Sequence, residues 1–345
     1  LYDYRYENMD TDQTNQTYLY ENSGTGGDLA GNGYVLLPLV GDMGDLPAED
    51  FHRKTRDIHG QDAFFLDAFL YGDFEVGGKF ITARAGRQVI SWGESFFFPN
   101  VSNAQSHVDA AAAGTPGTQT KELFMPIGSV YGNLELSQSI SIEAYYQYEW
   151  KPVKQAGVGS YWSNSDVSGA GAERFILFAD PFVIPTPVLA EIEPDSGSDD
   201  DAWGIAMRYF LESGTEFGFY RLRYHAKFPS VTGVADPNAS GQAALLPAGV
   251  ADFYNTDQDL WGASFSTLVG DINVVGEISY IPNGLPTQQT VRPLLAADGS
   301  SYIADLVEGH VTQANLGLFY VWSKTWIADQ IDLFAEASYI RSNLE

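Results

Sequence analysis

The chain has 345 residues with 45 acidic side chains against 18 basic ones, which gives a formal net charge of −27. Such an acidic chain repels nucleic acid, because phosphate binding depends on lysine and arginine displacing counterions. There is no cysteine, which excludes disulfides, thiol catalysis and cysteine-bound metals. No stretch of about 18 consecutive apolar residues occurs, so a transmembrane helix is excluded.

Strand-like segments alternate along the chain with two kinds of connection. After the first strand they pair into hairpins whose turns are only a few residues long, such as Glu-Val-Gly-Gly after residue 74. The hairpins are separated by segments of roughly thirty to fifty residues, rich in proline, glycine and polar side chains. In chain order, the predicted strands cover residues 1–8, 62–74, 79–91, 128–136, 139–150, 202–211, 215–226, 259–268, 272–281, 311–322 and 330–340.

The hairpin at 62–91 has the clearest alternation. On its first strand Leu66, Ala68 and Leu70 fall on one face, and polar or aromatic residues fall on the other. Alternation with period two predicts a strand with one apolar face. The length of these strands is close to the ~9–11 residues that a tilted strand needs to cross a bilayer. Strands of soluble sheets are usually about half as long.

Short turns that alternate with long connections are typical of outer-membrane β-barrels, where the turns are periplasmic and the loops extracellular. Compact soluble domains rarely contain several structureless loops longer than about 15 residues. Aromatic residues also cluster at predicted strand ends, as in the aromatic belts of membrane proteins. The sequence therefore predicts an all-β fold: a transmembrane antiparallel up-and-down β-barrel that forms a single domain over residues 1–345. A secreted β-sandwich or β-helix is the alternative.

The number of predicted strands is odd, about eleven, whereas bacterial single-chain barrels close with an even number. An open sheet edge cannot lie in lipid, because unpaired amides there cost several kcal/mol each. We therefore expect this domain to be incomplete and to belong to a barrel of roughly 14–16 strands, with further strands after Glu345. We also expect a signal peptide to have been removed before Leu1.

Polar and charged side chains on the strands fall mainly on the face opposite the apolar one. Such a set either lines water and sets ion selectivity or fills a narrow barrel with salt bridges. Aromatic residues on the same face would offer patches for an apolar solute. The residues predicted to line the lumen are Asp67, Asp73, Arg84, Gln88, Glu135, Glu143, Arg208, Arg221, Arg223, Glu277, Asp332 and Glu336.

Arg87 is an exception to the alternation, because it has the same parity as the apolar Ala85. Either it lies at the headgroup rim, or Gly86 forms a β-bulge that turns it inward. We favour the bulge, with Arg87, Trp92 and Glu94 in a rim cluster whose role is structural rather than ligand binding.

Three connections contain apolar, proline-rich pieces, at residues 35–41, 179–192 and 243–250. They either pack together as a cap above the barrel or fold into its mouth as a plug that contacts ligand. The second possibility involves Phe182, Val183, Ile184 and Leu189. The acidic piece 193–201 lacks the aspartate spacing of a calcium loop and is predicted to be solvated. No catalytic residue, metal site or cofactor is predicted.

The run Gly-Arg-Gln-Val-Ile-Ser-Trp-Gly-Glu-Ser at 86–95 resembles the domain-of-unknown-function 1302 family. The pieces at 121–123, 143–153 and 332–345 are also similar to it. The resemblance implies a Gram-negative outer-membrane barrel that takes part in the uptake or export of hydrophobic compounds. It also implies two partners, a periplasmic lipoprotein-like protein and an inner-membrane RND-type transporter. It supplies no substrate and no catalytic residue.

These patterns together predict a channel or transporter in the outer membrane of a Gram-negative bacterium, surrounded by lipid and lipopolysaccharide. It would pass small hydrophobic molecules through a polar and aromatic lumen gated by long extracellular loops. Two alternatives stay open. One is an outer-membrane enzyme of lipase or esterase type with a site at the rim, and the other is a non-transporting adhesin or structural barrel.

Overall fold

The computed structural model describes most of the sheet-forming chain and parts of the connections. The described residues are 53–60, 66–98, 100–105, 107–113, 115, 118, 123–161, 163, 169–171, 174–176, 188–192, 197–235, 247–284, 309–323 and 327–344.

Strands dominate this part of the chain. They are β1 (Ala68–Val76), β2 (Lys79–Gln88), β3 (His107–Val108), β4 (Phe124–Met125), β5 (Ile127–Ser137), β6 (Ile140–Gln147), β7 (Arg174–Ile176), β8 (Val188–Ile192), β9 (Ala202–Phe210), β10 (Glu216–Tyr224), β11 (Ser230–Ala235), β12 (Pro247–Phe253), β13 (Gln258–Val269), β14 (Ile272–Gly284), β15 (Gly309–Ser323) and β16 (Gln330–Leu344). The helices are α1 (Arg53–His59), α2 (Val101–Gln105) and α3 (Ala110–Ala113). Within the described residues, no helix has the length and apolar character that a membrane span requires.

Ten of the strands form one antiparallel sheet with the order β1-β2-β5-β6-β9-β10-β13-β14-β15-β16. Each predicted strand from residue 62 onward corresponds to one of these ten, so the prediction of an all-β antiparallel fold with up-and-down connections is confirmed. Among the described strands the sheet is not closed, and β1 and β16 are its edges. The strand predicted at 1–8 lies outside the described residues.

The long connections at one end of the sheet also contain strands, which the sequence patterns did not predict. β11, β12, β8 and β7 form a four-stranded sheet, and β3 pairs with β4. Within the four-stranded sheet, β8 and β12 pair in parallel. The connection between β6 and β9 is therefore bound to the connection between β10 and β13.

The two faces of the ten-stranded sheet differ sharply in exposure. Tyr145 is 4 % exposed, whereas its neighbour Tyr146, which points to the other face, is 43 % exposed. We call the face that includes Tyr145 and Glu277 the inner face, and the face that includes Tyr146, Ile205 and Ile278 the outer face. The outer face exposes large apolar side chains on strand after strand. Soluble monomers rarely expose an apolar surface of that extent.

The buried core lies on the inner face, against the segment that follows β2. Trp92, Val101 and Ala104 of that segment pack on inner-face residues, which include Tyr131, Tyr145, Ala206, Tyr220, Leu222 and Leu260. The core is therefore built from a connection and one side of the sheet, and not from two packed layers.

The tight turn between β1 and β2 depends on two glycines. Gly77 and Gly78 have φ angles of 61° and 72°, which is the geometry of a type I′ hairpin turn. This turn matches the twist of the two strands that it joins. A Cβ atom at either glycine would meet no atom within 4 Å, so the requirement is conformational and not steric.

We expect Gly77→Val to destabilise the protein by about 1–2 kcal/mol, because a β-branched residue is disfavoured at positive φ. Gly77→Asn is the matched control, since asparagine tolerates this conformation. Urea unfolding of the two variants in detergent micelles measures the difference. Equal stabilities of the two variants would contradict the assignment of the turn.

Candidate functional site: a plug on the inner face

Residues 89–105 leave the end of β2 and cross the inner face of the sheet. We call this segment the plug; residue 99 is not among the described residues. It contains the short helix α2 and no strand. Its backbone amides therefore need partners outside any strand ladder, because a buried unpaired amide is costly. Inner-face side chains supply those partners.

Trp92 anchors the first part of the plug and is only 1 % exposed. Its indole Nε1 donates to Glu143 Oε2 at 2.7 Å, and its backbone amide donates to Gln105 Oε1 at 2.7 Å. The ring packs against Tyr145 and stacks on Tyr220, with centroid distances of 4.9 and 6.1 Å. The tryptophan thus contacts two strands of the sheet, β6 and β10, and the end of the plug at once.

Glu277 on β14 binds the middle of the plug through both carboxylate oxygens. It accepts hydrogen bonds from the amide of Glu94 at 2.6 Å and from the amide of Val101 at 2.8 Å. It also accepts one from the hydroxyl of Ser95 at 3.2 Å. Glu277 itself is buried, so these bonds form in a poorly solvated place. Hydrogen bonds to a charged group contribute about 1.5–3 kcal/mol each, more than neutral ones.

Glu336 and Asn315 hold the three consecutive phenylalanines of the plug. The amides of Phe96 and Phe98 donate to the half-buried Glu336 carboxylate at 3.2 and 3.1 Å, and the amide of Phe97 between them donates to it as well. Asn315 Nδ2 donates to the Phe98 carbonyl and to Ser95 Oγ, each at 2.7 Å. Each plug residue from 94 to 98 therefore has a backbone or side-chain bond to β14, β15 or β16.

The end of the plug is tied down by amide and ammonium groups. Gln147 Nε2 donates to the Gln105 carbonyl at 2.9 Å, and Lys227 Nζ donates to the Ala104 carbonyl at 2.8 Å. Ser279 on β14 also donates to Asn100 Oδ1. With these contacts the plug is bonded to strands from β6 to β16, across most of the width of the sheet.

Glu143 also belongs to an ion-pair network beside the plug. Arg208 Nε lies 2.6 Å from Glu143 Oε1, and its Nη1 pairs with Glu216. Tyr131 donates its hydroxyl to Glu143 Oε2 at 2.9 Å. The Arg84 guanidinium stands over the Tyr131 ring at 4.2 Å. These contacts hold the Glu143 carboxylate in the position where it accepts the Trp92 indole.

Most residues that the sequence predicted for the lumen do lie on the inner face. Two observations place them there. Some contact the plug directly, and the others lie directly opposite inner-face residues on a neighbouring strand, and directly opposite residues share a face. These residues are Asp73, Arg84, Gln88, Glu135, Glu143, Arg208, Glu277, Asp332 and Glu336. Asp67 lies just before β1, outside any strand. Glu143, Glu277 and Glu336 bind the plug.

The lumen prediction is wrong for Arg221 and Arg223. Arg221 lies directly opposite the outward-facing Ile205 and Trp261, with its guanidinium 4.5 Å from the Trp261 ring centroid. It pairs with Asp259 at 2.8 Å, and Arg223 pairs with Asp201 at 3.0 Å. The alternation within β10 does not decide which set of alternate residues faces inward. The register with β9 does, and it places both arginines on the outer face.

The predicted β-bulge at Gly86 is also wrong, and so is the rim cluster. The pairing of β2 with β1 and with β5 continues without a shift through Gly86, although that glycine has a φ of 134°. Arg87 remains near the end of β2, where it pairs with Glu149 at 3.7 Å. Trp92 and Glu94 belong to the plug and bind other strands, so the three residues do not form one cluster.

The predicted plug or ligand contact at Phe182, Val183, Ile184 and Leu189 stays a prediction. Phe182, Val183 and Ile184 lie outside the described residues, and Leu189 lies in β8, where only the backbone is described. The segment that does lie on the inner face was not predicted. Its signal was the aromatic run Trp-Gly-Glu-Ser-Phe-Phe-Phe soon after a strand, which is too aromatic for a solvated loop and whose Trp92 is buried.

Phenylalanines of the plug and of β16 form an aromatic patch on the inner face. Phe334 meets Phe96 and Phe97 edge to face at 5.6 and 6.3 Å, and it stacks on Phe319 at 4.5 Å. Phe96, Phe97 and Phe334 each remain substantially exposed. The patch therefore offers apolar surface beside the acidic groups that hold the plug.

Glu94, which lies in the plug outside the strands, has a strongly perturbed carboxyl. Burial raises its pKa to about 7, with further raising effects from Glu216 and Glu277 and an opposing effect from Arg208. Ionised Glu94 would add a third negative charge among these carboxylates. Within the described part of the chain, no group of three or more histidine or acidic side chains could hold a metal ion.

Comparison with known families agrees with the resemblance seen in the sequence. The family model described as "Protein of unknown function (DUF1302)" matches residues 1–344, almost the entire chain. No curated protein matches it.

Removing the Glu277 carboxylate should loosen the plug. We expect Glu277→Ala to increase hydrogen exchange of the amides of Glu94 and Val101 by about tenfold or more, because charge-assisted bonds of about 1.5–3 kcal/mol are lost. Hydrogen exchange of peptides that cover residues 92–101 measures this. Glu135→Ala is the control, an inner-face carboxylate away from the plug, and equal exchange in both variants would contradict the role of Glu277.

The protonation of Glu94 should make the stability of the protein depend on pH. Its folded pKa of about 7 lies above the ordinary value of 4.5, so its favourable contribution is complete below pH 4.5 and is lost as pH rises through about 7. Glu94→Gln should therefore become increasingly more stable than the natural protein as pH rises from about 4.5 to about 7, and should keep a constant advantage above about 7. Unfolding free energies of both proteins from pH 4 to pH 8 measure the difference. A difference that does not change between pH 4.5 and 7 would contradict the assignment.

Proposed function

The chain belongs to the DUF1302 family, and we propose that it is an outer-membrane β-barrel protein that passes small apolar molecules through a lumen closed by the plug. The observation that carries this proposal is the attachment of residues 92–105 to the inner face through Glu143, Glu277 and Glu336. In this proposal the lumen is closed by a segment of the same chain that hydrogen bonds hold on the inner face. Passage then requires the plug to shift.

The membrane location is supported by the outer face of the sheet. Large apolar side chains such as Ile205, Ile278 and Leu316 are about half exposed there. An apolar outer band with a polar interior is the pattern of outer-membrane barrels. Arg221 and Arg223 fit this location, because they lie toward the long-connection end of β10 and pair with acidic residues there. Charged side chains are tolerated near the interface far better than at the bilayer midplane. We therefore place the protein in the outer membrane of a Gram-negative bacterium, in contact with lipid and lipopolysaccharide.

A solute of apolar character is supported by the aromatic patch on Phe96, Phe97 and Phe334. Binding sites for apolar molecules are lined mainly by aromatic and aliphatic side chains with a few polar groups. The patch includes plug residues, so a solute that binds it contacts the segment that has to shift. A ligand shifts an equilibrium only through different affinities for its two states, and this contact provides such a difference.

The way in which the plug is attached allows it to move away from the inner face. Its bonds to β14, β15 and β16 are hydrogen bonds to side chains, and the plug is not a strand of the sheet. The sheet can therefore keep its own ladder while the plug moves. Transport of this kind needs no covalent chemistry, and we propose no catalytic residue.

The family resemblance suggests where the solute goes. We propose that the end with the short turns faces the periplasm and meets a lipoprotein-like carrier, which works with an RND-type transporter of the inner membrane. The long connections, which pack together at the opposite end, would then face outward.

Weakening the plug should speed passage. In Gram-negative cells that express the full-length protein, a Glu277→Gln, Glu336→Gln double variant should take up a small neutral apolar dye several-fold faster than the natural protein. The lipopolysaccharide leaflet otherwise limits such uptake, which makes the protein's contribution visible. Fluorescence of the dye on entry measures the rate, and Glu135→Gln is the matched control.

The result that contradicts the proposal is uptake equal to that of cells without the protein for both the natural protein and the double variant. If the purified natural protein then hydrolyses an ester, the alternative of an outer-membrane enzyme replaces this proposal.

A further inference from the structure

We propose that a cavity among the long connections binds an amphipathic carboxylate, an anion of the fatty-acid type with an apolar body. The cavity has a volume of about 440 Å³ and lies between α1, the residues around β3, and residues 151–155. Its volume falls in the range of about 300–1,000 Å³ that is usual for small-molecule sites. This inference rests on the proposed function, because it names the class of solute that the protein receives at its long-connection end.

The segments that supply the lining of the cavity are bonded to one another just beside the lining residues. Three hydrogen bonds join them: Thr55 Oγ1 to the Val158 carbonyl at 2.8 Å, the Gly157 amide to His59 Nε2 at 2.9 Å, and the Lys154 amide to the Val108 carbonyl at 3.0 Å. Thr55 is fully buried at the first of these contacts.

Lysine side chains are concentrated around this cavity. Lys54, Lys151 and Lys154 line it, three of the seven lysines of a chain whose net charge is −27. The described lining residues include no aspartate or glutamate. Lys151 pairs with Glu149 at 3.1 Å and Lys154 with Asp109 at 3.3 Å. An ammonium has three donors, so the half-exposed Lys151 can bind a ligand carboxylate as well as Glu149.

His107 provides the second sign of a ligand. It lines the cavity, it is 7 % exposed, and its Nδ1 atom has no hydrogen-bond partner in the described structure. Burial, together with the positive charges of Lys151 and Lys227, lowers its pKa to about 4, against smaller raising effects from Asp109 and from a hydrogen bond to the Pro152 backbone. The ring is therefore neutral near pH 7, and a polar atom of a ligand would satisfy the unpaired nitrogen.

The remaining walls match an apolar body. Ile58, Pro152, Val153 and Tyr254 contribute most of the uncharged lining. A free inorganic anion would leave this apolar surface without a partner, and a neutral hydrocarbon would form no bond with the Lys151 ammonium or with Nδ1 of His107. A molecule with one carboxylate and an apolar chain satisfies both parts of the lining.

The cavity lies beside the end of the plug. His107 comes two residues after Gln105, the last residue of α2, and the buried Lys227 that influences His107 also donates to the Ala104 carbonyl at 2.8 Å. A ligand in the cavity therefore lies next to the segment that closes the lumen. The cavity is in the position of a first binding site before the solute reaches the plug.

Equilibrium binding of decanoate to the full-length protein in lipid nanodiscs tests the inference. We expect decanoate to bind at least about tenfold more tightly than decanol or decylammonium, because the ammonium groups form charge-assisted hydrogen bonds only with the anion. Lys151→Gln, on a half-exposed side chain, should weaken decanoate binding by about tenfold. Lys79→Gln is the control, an exposed lysine in β2 near the short turn, and should bind decanoate normally.

Three results would overturn the inference: decanol binding as tightly as decanoate, inorganic phosphate binding more tightly than decanoate, or Lys151→Gln binding decanoate as the natural protein does. Uptake of the neutral dye does not depend on this cavity. Dye uptake without selective decanoate binding would therefore refute the carboxylate site alone, and loss of dye uptake would refute the proposed function.

Discussion

Carboxylates on the sheet that accept hydrogen bonds from the backbone of the plug are the interaction on which the rest of this structure depends. A segment without strand or long helix has no ladder of its own, and its buried amides must find acceptors elsewhere. Glu277 and Glu336 supply them from β14 and β16, and Glu143 accepts the indole of Trp92. The carboxylates of the inner face therefore lie at the positions where N–H groups of the plug need acceptors.

The need to accommodate the plug explains a glycine and an arginine on β9. Gly204 on β9 leaves room for the plug, since a Cβ atom there would come within 2.8 Å of the Trp92 ring and within 2.5 Å of Leu222. Arg208 lies beside Glu143 and Glu216 and neutralises part of the negative charge that the plug requires. Strand alternation separates these groups from the apolar outer face, so one sheet presents an acceptor surface on one side and an apolar surface on the other.

The strands and their order could be predicted from the sequence because period-two alternation is local and repeats on ten strands. The sequence could not predict which side chains of β10 lie on the inner face. Its residues Glu216–Tyr224 place aromatic side chains on both faces, and only the register with β9 decides that Arg221 points outward. The plug was missed because its partners are distant, with 183 residues between Glu94 and Glu277 and 240 between Phe96 and Glu336. Side-chain acceptors at such separations leave no local periodicity.

The claim that the plug closes the lumen is tested most directly by fixing the plug in place. The chain has no cysteine, and Ser95 and Asn315 are in direct contact through a 2.7 Å hydrogen bond, so Ser95→Cys with Asn315→Cys places one disulfide between plug and sheet. Dye uptake by cells that express this variant should stop on oxidation and return on reduction, while uptake by each single variant should not change on oxidation. Undiminished uptake by the fully oxidised protein would contradict the account.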